Sequence, residues 1–149
     1  MDAAERLLAS LTLPHQRHRT LRLEPLPLAT ALSSASIEST IRYTVGSIDE
    51  SGKVPAAQVL ESLGWQGGDR LSVTVQRGVV VLQHDPDGLV AVTKRRALVI
   101  PAAARRACGI RKADAVLIAA VVGFNTAVVH PQAIIDRMMA LYHHSDDDV

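Results

Sequence analysis

The chain has 149 residues, about the size of one domain. With 48% hydrophobic and 21% charged residues it is not disordered throughout, and with 3% aromatics its core must be built from Ala, Val, Leu and Ile. Sixteen Lys and Arg against fifteen Asp and Glu leave a net charge of +1, an average that argues against a nucleic-acid or anionic-membrane partner.

A single cysteine, Cys108, excludes an intrachain disulfide and the multi-cysteine zinc patterns. A reducing cytoplasm is the expected compartment. The start Met1-Asp2-Ala3-Ala4-Glu5 lacks the basic residues and apolar run of a signal peptide. The spacing predicts a short helix over 2–11, capped by Asp2, with Leu7, Leu8 and Leu11 on one face. Pro14, Pro25 and Pro27 break any helix beyond it, and Ser33-Ser34-Ala35-Ser36 reads as a linker. Residues 1–40 are therefore an N-terminal extension.

From Ile41 the period changes to two. Ile41, Tyr43 and Val45 alternate, which predicts a half-buried strand. Asp49-Glu50-Ser51-Gly52 is a turn, residues 56–63 form a short helix stopped by Gly64, and Gly67-Gly68-Asp69 turns again. Leu71, Val73 and Val75 form a strand, Arg77-Gly78 reverses it, and Val79–Leu82 returns to the turn Asp85-Pro86-Asp87-Gly88.

The plan then repeats. Leu89, Ala91 and Thr93 lead into the basic turn Lys94-Arg95-Arg96, and Ala97–Ile100 is a short strand. Pro101 opens a helix that ends at Gly109. Val116–Val121 and Thr126–Val129 form a hairpin around Gly123–Asn125, and residues 131–143 form an amphipathic helix before the acidic end Asp146-Asp147-Asp148. Gly64 and Gly109, and likewise Asp69 and Asp114, lie 45 residues apart, inside the range of an internal repeat. This divides the chain into an extension 1–40, a first unit 41–88, a second unit 89–131 and a C-terminal helix and tail 132–149. The helix of the first unit reads as one residue shorter than that of the second. The stretch Ala115–Ile135 has no Asp, Glu, Lys or Arg, but its internal turn and Pro131 point to a hairpin and a helix rather than a membrane span.

The second unit carries Leu98-Val99-Ile100-Pro101, Arg105-Arg106-Ala107-Cys108-Gly109-Ile110 and Asp114-Ala115. The first carries Ile48-Asp49-Glu50-Ser51-Gly52-Lys53-Val54, Leu63-Gly64-Trp65 and Gly68-Asp69-Arg70-Leu71. In this order and spacing, residues 41–131 resemble the AbrB/MazE/SpoVT family of DNA-binding domains. Two departures stand out: Arg96 and Ala97 lie where the family has Gly and Arg, and Pro55 lies where it has a strand residue. The resemblance implies a mainly β, α+β fold, a swapped-hairpin barrel in which one chain supplies both copies. It also implies that the turn before the Val-Ile-Pro strand and the short helix meet DNA.

Counted by segment, the charge is far from even. Residues 43–88 carry net −3, residues 89–131 net +6 and residues 132–149 net −3. Lys94, Arg95, Arg96, Arg105, Arg106, Arg111 and Lys112 form this basic block, and Lys53 holds the family's turn-arginine position in the acidic unit. Such residues neutralise phosphates, and Arg can fork onto guanine edges. Cations at a helix C-terminus also favour the helix dipole, which accounts for one of Arg105 and Arg106 better than for both.

The expected function is a sequence-specific DNA-binding regulator of transcription. Because only one unit is basic, a homodimer or larger assembly through the 131–143 helix is expected on DNA. Two other readings remain open: a MazE-like antitoxin whose C-terminal tail wraps a toxin, and an interaction module that no longer binds DNA. No catalytic arrangement, phosphate loop or cofactor motif is present, and His15, His18, His143 and His144 lie at two distant ends, a poor metal site. Cys108 and Trp65 read as packing residues.

Overall fold

A computed structural model describes residues 41–146, with the side chains of Ser145 and Asp146 left aside. The helix expected over 2–11 and the proline-containing stretch after it lie outside the described residues.

The fold is mixed α+β with antiparallel pairing throughout. The first unit contributes β1 (Ile41–Ser47), β2 (Lys53–Pro55), α1 (Ala57–Leu63), β3 (Arg70–Gln76) and β4 (Val79–His84). The second contributes β5 (Val90–Ala91), β6 (Ala97–Val99), α2 (Ala102–Cys108), β7 (Ala115–Val121) and β8 (Thr126–Pro131), followed by α3 (Gln132–Asp146). The two short helices have seven residues each and start 45 positions apart, so the first is not the shorter one.

Their ends are made alike. Gly64 at φ 70° and Gly109 at φ 66° both take the left-handed cap that a side chain would strain. The next amide turns back in both: Trp65 N–H donates to Leu60 O, and Ile110 N–H to Arg105 O, each at 2.9 Å. The β3–β4 turn is only Arg77-Gly78, both at positive φ, as a tight twisted hairpin requires. The β7–β8 turn is a 3-10 turn, Val122–Phe124, closed by Asn125.

The main sheet has the order β1-β7-β8-β4-β3-β5, and β2 pairs with β6 as a separate ribbon. The first strand of each unit crosses to the other unit's hairpin: β1 pairs with β7, and β5 with β3. The two hairpins meet at β4 and β8, with Val81 opposite Val128. The sheet does not close into the expected barrel. β1 and β5 are its two edges, because each runs through a tight turn into β2 or β6, and those pair with each other instead.

One face of the sheet carries the main core, where Leu71, Val73, Val80, Leu82, Val116, Ile118 and Val129 pack on Val54, Leu60, Leu98, Ile100 and Ala104. Apolar burial of this extent stabilises the fold at about 25 cal/mol per Å2. Trp65 is buried in this core, as expected, and its indole Nε1–H donates to Asn125 Oδ1 at 2.7 Å, tying α1 to the second unit's hairpin turn. The opposite face carries a smaller cluster of Val79, Val81, Ala119, Val121 and Val128, on which Ile134 of α3 packs.

The alternation in β1 is real, but its larger side chains lie outward. Tyr43 and Val45 are 61% and 68% exposed. They stand opposite Ala119 and Leu117, on the face away from the main core. Thr44 and Gly46 face inward instead. A side chain at Gly46 would meet Val54 Cγ1 at 2.7 Å, so the space inside is already filled.

The uncharged stretch from Ala115 becomes β7, the turn, β8 and the start of α3. Among the described residues no helix is long and apolar enough to cross a membrane.

Candidate nucleic-acid interface

Two matching turns lie where β1 passes into β2 and where β5 passes into β6. In the first, Asp49 N–H donates to Lys53 O at 3.0 Å, and Gly52 N–H to Asp49 O at 3.1 Å. In the second, Thr93 N–H donates to Ala97 O at 3.2 Å, and Arg96 N–H to Thr93 O at 3.1 Å. A short polar side chain closes each: Lys53 N–H donates to Asp49 Oδ1 at 2.8 Å, and Ala97 N–H to Thr93 Oγ1 at 3.0 Å. Each turn is also stitched to the other unit, Ile100 N–H to Gly52 O at 2.8 Å and Ala56 N–H to Arg96 O at 3.2 Å. The backbone of both turns is thus held by the frame.

Their side chains differ. The Asp49 carboxylate also accepts from the amide and hydroxyl of Ser51, and its pKa lies below the ordinary carboxylate value, chiefly through the Lys53 amide. In the second turn Lys94, Arg95 and Arg96 are all exposed. Arg96 stands at φ 60°, a left-handed position held in the first turn by Gly52 at φ 85°.

An open cleft of about 550 Å3 separates the turns, lined by Ser47, Asp49, Lys53, Pro55, Thr93, Lys94, Arg95 and Ala97. It brings Lys53 together with Lys94 and Arg95, three cations from two units. Asp49 on the same wall is the one carboxylate among them.

The rest of the basic block divides. Arg105 is half-buried over the first turn: its Nε–H donates to Ile100 O at 3.1 Å, and Nη1 reaches Glu50 O at 3.5 Å. Its counterpart in the first unit, 45 residues earlier, is the buried Leu60. Arg105 therefore has a structural task the sequence reading did not assign. Lys112 pairs with Glu50 at 3.1 Å, an exposed contact of small energetic weight. Arg106 and Arg111 are exposed, on α2 and on the turn after it. Turn Asp49–Gly52 thus shares a cleft with Lys94 and Arg95 and also receives Arg105 and Lys112 at Glu50.

Sequence reasoning missed Glu50 as the partner of two of these cations. The repeat offset held the signal: Glu50 matches Lys94, and Lys112 matches Gly67, where a side chain would come within 3.1 Å of Lys94 Cα. It also missed His130. That ring is buried with Nδ1 3.1 Å from Leu117 O, and burial pushes its pKa below the ordinary 6.5.

Cys108 is half-buried, and burial pushes its thiol up to about 11, so it is a weak nucleophile at neutral pH. Among the described residues no group of three or more His, Cys, Asp or Glu is placed to hold a metal ion. His143 and His144 are exposed on α3, while His15 and His18 lie outside the described residues. No family model matches the chain, and no curated protein or solved structure matches it significantly.

Proposed function

We propose that this protein binds double-stranded DNA and regulates transcription in the manner of the AbrB/MazE/SpoVT family, which its two units resemble. The observation that carries this reading is the turn Lys94-Arg95-Arg96, held on a hydrogen-bonded frame beside a cleft that adds Lys53. Three adjacent exposed cations repel one another and do nothing for the turn itself, so an anionic partner is the economical reason for them. The crossing of β1 to β7 and of β5 to β3 supports the finer architectural reading, two interleaved swapped hairpins supplied by one chain.

On DNA, the rigid turn sets Lys94, Arg95 and Arg96 against phosphates and base edges, and Arg106 and Arg111 extend the contact. Asp49, in the same cleft, and its neighbour Glu50 repel phosphate at the first turn, so one chain engages DNA chiefly through the second. Arg105 contributes indirectly, by fixing the first turn and the end of β6.

Binding to genomic fragments, followed by fluorescence anisotropy across a salt series, tests this. With about five phosphates neutralised, log K should fall against log salt with a slope near −4 to −5. Replacing Lys94, Arg95 and Arg96 together by Ala should abolish binding. Arg106→Ala should weaken it without moving the melting temperature, whereas Arg105→Ala should also cost about 1–2 kcal/mol of stability through its lost charged hydrogen bonds. Salt-insensitive binding, or full binding after both Arg105 and Arg106 become Ala, refutes the proposal.

A further inference from the structure

The main sheet ends in two unlike edges. β5 is two residues long, and an edge this short offers little to pair with. β1 has seven residues and runs in unbroken register with β7, from Ile41 opposite Val121 to Ser47 opposite Ala115. It holds no proline and no bulge, and Arg42 is its only charge. Most of the devices that keep an exposed edge from pairing are therefore missing from β1.

The hydrogen bonds at its end show which backbone groups face outward. Ile48 N–H donates to Asp114 O at 3.2 Å, and Ile48 O accepts from Ala113 N–H at 2.9 Å, so Ile48 turns both groups toward the second unit. Groups along an antiparallel strand alternate in direction. Gly46, Thr44 and Arg42 thus turn theirs to β7, while Ile41, Tyr43, Val45 and Ser47 turn theirs to the open side. Pro131 agrees with this phase. It stands opposite Val116, which pairs with Gly46, so its missing N–H costs the β7–β8 ladder nothing. The open side presents a row of N–H and C=O groups beside the exposed side chains of Tyr43 and Val45.

We propose that this open edge of β1 pairs antiparallel with the same edge of a second copy, across a two-fold axis at Thr44. Full overlap of the seven residues sets this register. It places Tyr43 opposite Val45 of the second copy and Ile41 opposite its Ser47. All of these are outward-facing positions, so each exposed N–H meets a C=O. Tyr43 and Val45 then form aromatic and β-branched cross-strand pairs on the outer face. The charge selects antiparallel order. Each Arg42 falls opposite Gly46 of the other copy, about 14 Å along the strand from the other Arg42. A parallel pair in register would set the two guanidinium groups side by side. Arg42 also shares a cavity of about 370 Å3 with Gln58, Glu61 and Ser62 of α1, and the facing Gly46 brings no side chain to crowd it. β1 is complementary to its own reverse in backbone, charge and shape, which is what a two-fold contact requires. Two six-stranded sheets become one continuous sheet, joined at a backbone edge and not through the helix that follows β8.

Light scattering and hydrogen exchange on the full chain, without DNA, test the proposal. A single shared ladder is smaller than a standard interface, so the protein is held at about 200 µM. The expected mass is twice the 16.0 kDa of one chain. The amides of Tyr43 and Val45 should exchange about tenfold more slowly at this concentration than at about 2 µM, where the dimer parts. Tyr43→Lys with Val45→Lys should weaken dimerisation about tenfold or more, since edge lysines oppose pairing. Its melting temperature at about 2 µM should match wild type, because both side chains are exposed. A monomeric wild type overturns the proposal; if those two amides are nonetheless protected, another part of the chain covers the edge. A dimer whose Tyr43 and Val45 amides exchange equally fast at both concentrations overturns the location, and so does a lysine variant that dimerises as well as wild type. DNA binding enters none of these readouts, so they stand or fall apart from the function proposed above.

Discussion

Turn Asp49–Gly52 and turn Thr93–Arg96 share a hydrogen-bond scheme and oppose each other in charge. The scheme depends on little: a short polar side chain at the first position, a residue tolerant of positive φ at the fourth, and a strand from the other unit to receive the ends. The two residues between differ, Glu50-Ser51 in one and Lys94-Arg95 in the other. The comparison teaches that a duplicated frame can keep its geometry while its two surfaces diverge. The helices behind the turns diverge as well: at matching positions Leu60 is buried in the core, while Arg105 donates to the carbonyl of Ile100.

The largest break in this likeness should come from adding a side chain to the first turn. At Gly52 a Cβ would lie 2.4 Å from Ile100 O and 2.9 Å from Arg105 Nε, at φ 85°. Left-handed strain of about 1–2 kcal/mol and a backbone clash of similar size should together cost Gly52→Ala about 2–4 kcal/mol. Thermal unfolding should show a fall of roughly 10 °C or more. A fall no larger than a few degrees would mean that the two turns are interchangeable after all, because Arg96 already carries a Cβ at the matching place.

A smaller difference between the units should appear with pH. His130 in β8 is buried and its pKa is lowered, chiefly by burial, whereas Gln83, its counterpart 47 residues earlier in β4, is exposed and does not titrate. The unfolded chain takes up a proton on His130 near pH 6.5 and the folded chain only at lower pH. Stability is therefore full above 6.5 and declines as pH falls from there toward the folded value. Asp49, lowered below 3.8, acts in a separate and more acidic window. Melting curves between about pH 7 and pH 5 should slope downward in wild type and flatten in His130→Gln. Equal slopes would place the proton uptake elsewhere.

Much of the frame was legible in residue order. Gly64 and Gly109, the Arg77-Gly78 reversal and the period-two runs marked the helices and hairpins, because each is a local requirement of backbone geometry. Which face of β1 turns inward was not legible. Tyr43 and Val45 outrank Thr44 and Gly46 in hydrophobicity, and the outcome depended on Val54, eleven residues from Tyr43, already filling the space. The open sheet was equally hidden, since it follows from the pairing of β2 with β6 across the two units. Of the candidate site, the basic turn stood out by composition. The commitment of Arg105 and Lys112 to Glu50 did not, because it spans 55 and 62 residues.

The smallest expected effect is also the one that separates stability from function. Arg96 holds a left-handed φ of 60° where the first unit uses glycine, and Ala113 at φ 70° stands where it uses Gly68. An arginine there bears strain that a glycine would not, while glycine brings a larger loss of chain entropy. Arg96→Gly should therefore raise stability by only about 0.5–1 kcal/mol, read as a melting temperature a few degrees higher. The same change removes one cation from the turn, so DNA affinity should fall and the salt slope should shrink by about 1. Gains in stability and losses in binding from one residue are what strain kept for function predicts. If stability rises while affinity and slope hold, Arg96 is a tolerated departure from glycine, and the contact with phosphate rests on Lys94 and Arg95.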